Sequence, residues 1–499
     1  MSPRVPSPVR LMPRVAAVVA VVVLAGACAP PLLVTSFDPL DGPGDELDLV
    51  EERGCAMPEG TASFGEAPPS FVGLDGAKLA DAIGYATARG AQSVRVYRRG
   101  CLVGRSGLDP ITEETLLPAW SMTKGVVATV VGRAVALGHL TLDDPIGTHL
   151  AGLQPDHAAL TVRQFLTQTT GLRMAWANDL WAAGTTDSAA DVLGRPFQAE
   201  PGTTFLYAQT AVTALVAVVE AAVGEDFQSF ARRELFEPLG IGGDQWRWAR
   251  DGSGRTQGFA FLDMAPTAWV RLGHLLLEEG MWGGVRLIDA GFIREGSHGT
   301  DANAGYGFLW RTNDGDWNID SGIPAHTRDE EPNWPGLPRD AYGYSGLFDQ
   351  LMIVIPSLDM VILRMGLPSE AFGDPIGESP GIRPSFAWRY NRLLMAAVTD
   401  VDVDDPGPWS FEPDETPLDL ANLIAPDLTP FEVPPWFLEL LGLDDLFGVG
   451  ADGTPVGDVP VDGIPADGIP VDDIPVDGIP VDGIPVGGSA SAAGADQNG

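Results

Sequence analysis

The chain of 499 residues carries 30 basic against 68 acidic side chains, a formal net charge of −38. A surface of that sign repels phosphate, which excludes nucleic acid and an anionic membrane face as the main partner. The length is ample for a sizeable core and for one large domain or two to three ordinary ones.

Residues 1–28 read as an export signal: Arg4, Arg10 and Arg14 lead into an apolar run from Val15 to Ala27, too short for a bilayer span. The run ends in Leu24-Ala25-Gly26-Ala27-Cys28, which resembles the lipobox of bacterial lipoproteins, in which the cysteine is lipidated. Leu24 lies four residues before Cys28 rather than three, so cleavage after Ala25-x-Ala27 stays open. Either way the protein is expected outside the cytoplasm, at the cell surface or free, with a lipid at Cys28 as its candidate membrane anchor. That would leave Cys55 and Cys101 either as a disulfide pair in an oxidising compartment or as two unpaired buried thiols.

Residues 29–66, rich in Pro, Gly and acids, read as a linker or draped extension. The spacing of Leu79, Ile83 and Ala86 predicts a helix over Lys78 to Ala88. Gln92 to Tyr97 alternates as a strand, Arg99-Gly100 turns, and Cys101 to Gly104 continues as its hairpin partner. Helical patterns run from Lys124 to about Glu279. Strands return at Gly305 to Arg311, Leu351 to Ile355 and Met360 to Met365, and a last helix covers Ser385 to Val398. Strands at both ends of a helical middle predict one α/β sandwich over residues 67–400. Its antiparallel sheet uses both ends of the domain, beside a helical subdomain.

Residues 401–448 form an acidic, proline-rich segment with a short apolar helix candidate at Trp436 to Phe447. In 449–499 proline recurs every fifth residue from Pro455 to Pro485 in units such as Val-Asp-Gly-Ile-Pro. Proline at that period blocks helix and sheet alike, so a disordered, extended spacer is expected, with its partner unknown.

Only Lys78 and Lys124 among the basic residues are lysines. Arginine stays protonated, so a lysine is notable wherever chemistry needs an amine that can lose its proton. Lys124 stands in Trp120-Ser121-Met122-Thr123-Lys124-Gly125, ahead of an apolar run. On a helix, Ser121 and Lys124 share a face, so a neutral amine can take the serine proton. Burial and the positive helix end lower the amine's pKa, and the free N–H groups of the first turn suit an oxyanion. The competing reading makes Ser121 an ordinary N-cap.

Three further segments accompany it in order: Leu160-Thr161-Val162-Arg163-Gln164-Phe165-Leu166-Thr167-Gln168-Thr169-Thr170-Gly171-Leu172, Pro201-Gly202-Thr203-Thr204-Phe205-Leu206-Tyr207-Ala208-Gln209, and Glu237-Pro238-Leu239-Gly240-Ile241. Together with Ser121-x-x-Lys124, these resemble the β-lactamase-related serine hydrolases, the group of class C β-lactamases, D,D-peptidases, esterases and 6-aminohexanoate-dimer hydrolases. The likeness covers roughly residues 70–398. It implies the β-lactamase-like sandwich, with Ser121 at the foot of a central helix and Tyr207 sharing proton transfer with Lys124. Without Ser121, Tyr207 would read as a core residue. Gln209 replaces the group's usual asparagine and is expected at the substrate.

The group's third motif falls at Gly343-Tyr344-Ser345-Gly346-Leu347. The resemblance places Tyr344, Ser345 and Gly346 along the substrate. It pairs the Leu347 N–H with that of Ser121 as an oxyanion hole. Tyr344 stands where a cation would meet a substrate carboxylate, which favours small esters or amides over β-lactams and peptides with a free C-terminus. A cell-wall D,D-peptidase or β-lactamase is the runner-up, and a surface-attached binding or scaffold protein without turnover is the reading from another class. Residues 173–200, with Trp176, Asn178 and Trp181, and the insertion 312–342, with Trp317 and Trp334, are candidate lids or surface decoration. No Gly-x-Ser-x-Gly elbow and no Ser-Asp-Asn occurs. The six histidines show no metal-ligand spacing, and no cofactor is expected.

Overall fold

The computed structural model describes residues 54–407 except 177, 180–186, 320–327 and 368–384. The export signal with Cys28, Trp181 and everything from 408 onward lie outside the described residues. The described residues all fall within one compact unit.

Helix α1 (Gly76–Ala88) starts because the Asp75 carboxylate accepts from Ala77 N at 2.9 Å and Lys78 N at 3.1 Å. Its stripe of Leu79, Ala82, Ile83 and Ala86 is buried. Strand β1 (Ala91–Arg98) hairpins onto β2 (Cys101–Arg105). A disulfide joins Cys55 to Cys101, tying the preceding segment to β2 across 46 residues. Closing a loop of that size stabilises the fold by about 4 kcal/mol in the chain-entropy account.

Helix α2 (Met122–Ala136) is buried nearly all round, as its run of Val, Ala and Gly requires of a central helix. The short α3 (Val162–Leu166) opens on a capping box in which Thr161 and Gln164 satisfy each other's backbone. Then come α4 (Gln209–Val223) and α5 (Pro266–Leu277). The helical middle also contributes strands Trp246–Trp248 and Leu262–Met264, and the second lies between the first and Leu117–Pro118, just ahead of α2.

The chain then returns to the main sheet through β3 (Arg311–Thr312), β4 (Tyr342–Gly346), β5 (Gln350–Ile355) and β6 (Met360–Gly366), and closes with α6 (Ser385–Ala396). The six strands run antiparallel in the order β2-β1-β6-β5-β4-β3, so both ends of the domain share one sheet. One face packs on α1 and α6, the other on α2 and α5. The strand expected at Gly305 to Arg311 shrinks to Arg311–Thr312. Gly307 N turns back onto Trp310 O at 3.0 Å and Leu309 adopts φ 57°, which breaks the extended run.

Candidate active site

Ser121 sits at the N-cap of α2, yet its hydroxyl makes no capping bond. It accepts instead from Lys124 Nζ at 2.9 Å, which removes the reading of Ser121 as a plain cap. Trp120, immediately before it, holds φ 49°, a left-handed conformation that costs a side-chain-bearing residue about 1 kcal/mol or more. Strain at that point turns the chain sharply into α2 and leaves the serine, only partly buried, at the helix head.

Lys124 is 1% exposed, and its ammonium nitrogen also donates to the Phe259 carbonyl at 3.0 Å. Burial pushes its pKa down, and the Arg311 charge adds to that, against the pull of Tyr207 and Asp179. The Tyr207 hydroxyl hydrogen-bonds to both Ser121 and Lys124, and its ring centroid lies 4.7 Å from Lys124 Nζ. Burial alone would raise the phenol, but the charges of Lys124 and Arg311 and these hydrogen bonds outweigh it and hold Tyr207 below the ordinary tyrosine range. Tyr306, set perpendicular to Tyr207 with ring centroids 6.1 Å apart, is driven the other way by burial and stays a phenol. Ser121, Lys124 and Tyr207, predicted from separated segments, thus form one hydrogen-bonded cluster.

Tyr207 is presented by the turn into α4, whose N-terminus rests on a buried carboxylate. Gln209 N donates to Asp179 Oδ2 at 2.6 Å and Thr210 Oγ1 to Asp179 Oδ1 at 3.0 Å. Arg195, 3% exposed, pairs with Asp179 and, at 2.6 Å, with Asp191. Asp179 thus supports the head of α4 from within 173–200, and Asn178 beside it is buried. Gln209 is 8% exposed, and its Oε1 meets no donor among the described residues.

On the far side of Ser121 runs β4. A Cβ added at Gly346 would lie 2.4 Å from Ala119 O and 3.2 Å from Ser121 N, so only glycine lets the strand pass this close. The following turn is locked: Arg364 Nη1 donates to the Phe348 carbonyl at 2.7 Å and Gln350 Nε2 to the same oxygen at 2.7 Å. Leu347, in that turn, is 53% exposed, and the Phe348 ring stands edge-on to Trp120 at 5.2 Å. Ser345 is half-buried and registered opposite Leu351.

Tyr344 differs from expectation. It is 1% exposed, its ring lies over Gly125, and its hydroxyl is bonded to Thr129 Oγ1 inside the α2 face of the sheet. Burial raises its phenol well above the ordinary range. A tyrosine is long enough to pass the substrate position and find a partner two turns along α2, so Tyr344 is core and does not meet substrate. Trp334 is likewise core, 4% exposed behind the sheet, while Trp317 lies under the Arg328 guanidinium at 3.9 Å.

Sequence reasoning missed Arg311, the Phe259 carbonyl, Asp179 and Arg195. Arg311 is registered beside Gly343 and donates to Asn333 Oδ1 at 3.0 Å. Nothing in its local sequence separates it from the other arginines, and a carbonyl carries no sequence signal at all. The described residues contain no group of three or more His, Cys, Asp or Glu arranged to hold a metal.

Residues 78–276 match the Beta-lactamase family model. Over 173 residues the chain is 30% identical to Esterase EstB of Burkholderia gladioli, a stretch covering 29% of this chain and 42% of that relative's length. Among solved structures, the octameric penicillin-binding protein homologue from Pyrococcus abyssi aligns with TM-score 0.46 and 16% identity, covering 66% of this chain and 79% of that one. A family VIII carboxylesterase aligns with TM-score 0.46 and 18% identity, covering 67% and 98%. The chain has a β-lactamase-like fold of mixed α/β content with an antiparallel sheet.

Proposed function

We propose that this chain, with its β-lactamase-like domain, is a serine hydrolase that cleaves small esters or amides through a covalent acyl-Ser121 intermediate. The observation that carries this is the buried hydrogen-bonded cluster of Ser121, Lys124 and Tyr207 at the head of α2.

Lys124 and Tyr207 are both held below their ordinary pKa values, Lys124 by burial and Tyr207 by the neighbouring positive charges, which favours a base facing Ser121. That base takes the Oγ proton as Oγ bonds to the substrate carbonyl carbon. The carbonyl oxygen becomes an oxyanion, met by the N–H groups of Ser121 and Leu347. Collapse breaks the bond to the leaving group, which departs with the proton returned through Tyr207. Water then repeats the sequence: it yields a proton to the same base, attacks the acyl carbon and frees Ser121 with the acid product. Phe259's carbonyl anchors the Lys124 nitrogen throughout.

The preference for neutral esters or amides rests on the third motif, where Tyr344 stands in place of a cation for a substrate carboxylate. Export, and a lipid at Cys28, extend the proposal to a protein working outside the cytoplasm.

Turnover of p-nitrophenyl acetate and of nitrocefin tests this directly. The proposal expects ester hydrolysis that falls at least ~10³-fold in Ser121→Ala and ~10²–10⁴-fold in Tyr207→Phe. Nitrocefin turnover as fast as ester turnover would move the reading to a β-lactamase. Ester turnover unchanged in Ser121→Ala would reject it.

A further inference from the structure

Gln168 lies outside the reacting cluster, yet it holds the backbone N–H of the residue on each side of Tyr207. Its carbonyl accepts from Leu206 N at 2.9 Å, and its side-chain Oε1 accepts from Ala208 N at 2.7 Å. The residue is 1% exposed and adopts φ 58°. Glycine or asparagine takes that left-handed conformation more readily, so a glutamine there is retained against local preference. The left-handed turn after α3 is what swings its amide across to the Tyr207 segment. The amide's orientation is also determined: exchanging its oxygen and nitrogen would set two donors against each other at Ala208.

The neighbours of this residue do other work. Thr169 binds the same loop further upstream, accepting from Gly202 N at 2.7 Å. Asp179 grips Gln209 and Thr210 downstream. Between those anchors Tyr207 sits in a tight turn, with Ala208 N also 2.6 Å from Leu206 O, and Gln168 is the contact that spans it on both sides. A hydroxyl that must hydrogen-bond to Ser121 and Lys124 together tolerates little drift, because proton transfer falls off steeply with misplacement.

We propose that Gln168 is a positioning residue that fixes Tyr207 against Ser121 and Lys124 through its two-sided grip on the 206–208 backbone. The inference rests on the hydrolase reading given above.

The test uses the full chain with p-nitrophenyl acetate, measuring kcat, KM, the pH profile and the thermal midpoint for wild type, Gln168→Met and Gln168→Glu. Methionine keeps the reach and loses the acceptor; glutamate keeps an acceptor for Ala208 N. The Met variant is expected to lose 10–100-fold in kcat with KM within about twofold. The acidic limb of its pH profile should move up, since Tyr207 drifts from the Lys124 charge. The Glu variant is expected to recover most of kcat at pH values above its own limb. If Gln168→Met does not fold, Gln168→Gly, which relaxes the left-handed backbone while keeping the carbonyl contact, takes its place with the same expectation. A folded Met or Gly variant with wild-type kcat and pH limb overturns the inference, as does a loss that only tracks the folded fraction, or a folded Glu variant as slow as Met. A wild type without Ser121-dependent turnover overturns the hydrolase reading and this inference with it.

Discussion

At the scale of single residues, three polar groups, Ser121, Lys124 and Tyr207, are held together in a nearly dry place. Lys124 is lowered by burial first, and Arg311 adds to it; Tyr207 is lowered because nearby positive charge outweighs burial. Lowered pKa values mean the base forms persist to lower pH, so acylation should fall only as pH drops through values below the 10.5 and 10 of free lysine and tyrosine. Arg311→Gln removes a charge that depresses both groups. Its pH–kcat/KM profile should have an acidic limb displaced upward, with less activity at neutral pH; an unmoved limb would show that Arg311 does not act on the cluster. Ser121 and Lys124 were legible because their spacing carries chemistry, and Tyr207 only through the family resemblance of its segment. Tyr344 was misjudged because strand position alone does not tell how far a side chain reaches, and Thr129 lies too far along the chain to suggest itself as its partner.

Among the elements, α2 and β4 approach closely, with glycine making room on each: Gly346 for the backbone at the head of α2, Gly125 for the Tyr344 ring. A Cβ at Gly125 would lie 2.3 Å from Tyr344 Cδ1. Gly125→Ala should therefore cost about 1–3 kcal/mol of stability, read from urea midpoints, by forcing the ring out of place. Adding Tyr344→Ala should cost less than the sum of the two changes, since the clash then has no partner; strict additivity would contradict the packing described. The alternating and amphipathic runs made α1, β1, β2, β5, β6 and α6 readable in the sequence. The shortened β3 was not, because the turn at 307–310 is made by backbone bonding and by Leu309 in a left-handed conformation that its residue type does not announce. The Asp179–Arg195 foundation of α4 escaped notice for a related reason: an ion pair between residues 16 positions apart leaves no periodic trace.

For the molecule as a whole, the hydrophobic core sets a limit on acid tolerance. His274 is buried among Phe64 and Tyr97, with its Nδ1 at 2.8 Å from Val270 O. Burial, aided by the Arg271 charge, holds its pKa down at about 4 against an ordinary 6.5. The unfolded chain takes up that proton near pH 6.5 and the folded one only near 4. The contribution is thus whole above pH 6.5 and lost as pH falls through 4, about 3 kcal/mol in all. His274→Phe should flatten the decline of stability over that window, measured by denaturant midpoints; an unchanged slope would place the sensitivity elsewhere. The antiparallel sheet shared by both ends of the domain was readable from strands flanking a helical middle.

The central claim is that Ser121 is a nucleophile primed by Lys124 and Tyr207. Intact-mass spectrometry after exposure to a fluorophosphonate, with the adduct mapped by peptide, measures that most directly. One adduct on Ser121, absent from Ser121→Ala and slowed in Lys124→Ala and Tyr207→Phe, is the predicted result. A folded wild type that takes no label, or takes it at another residue, would contradict it.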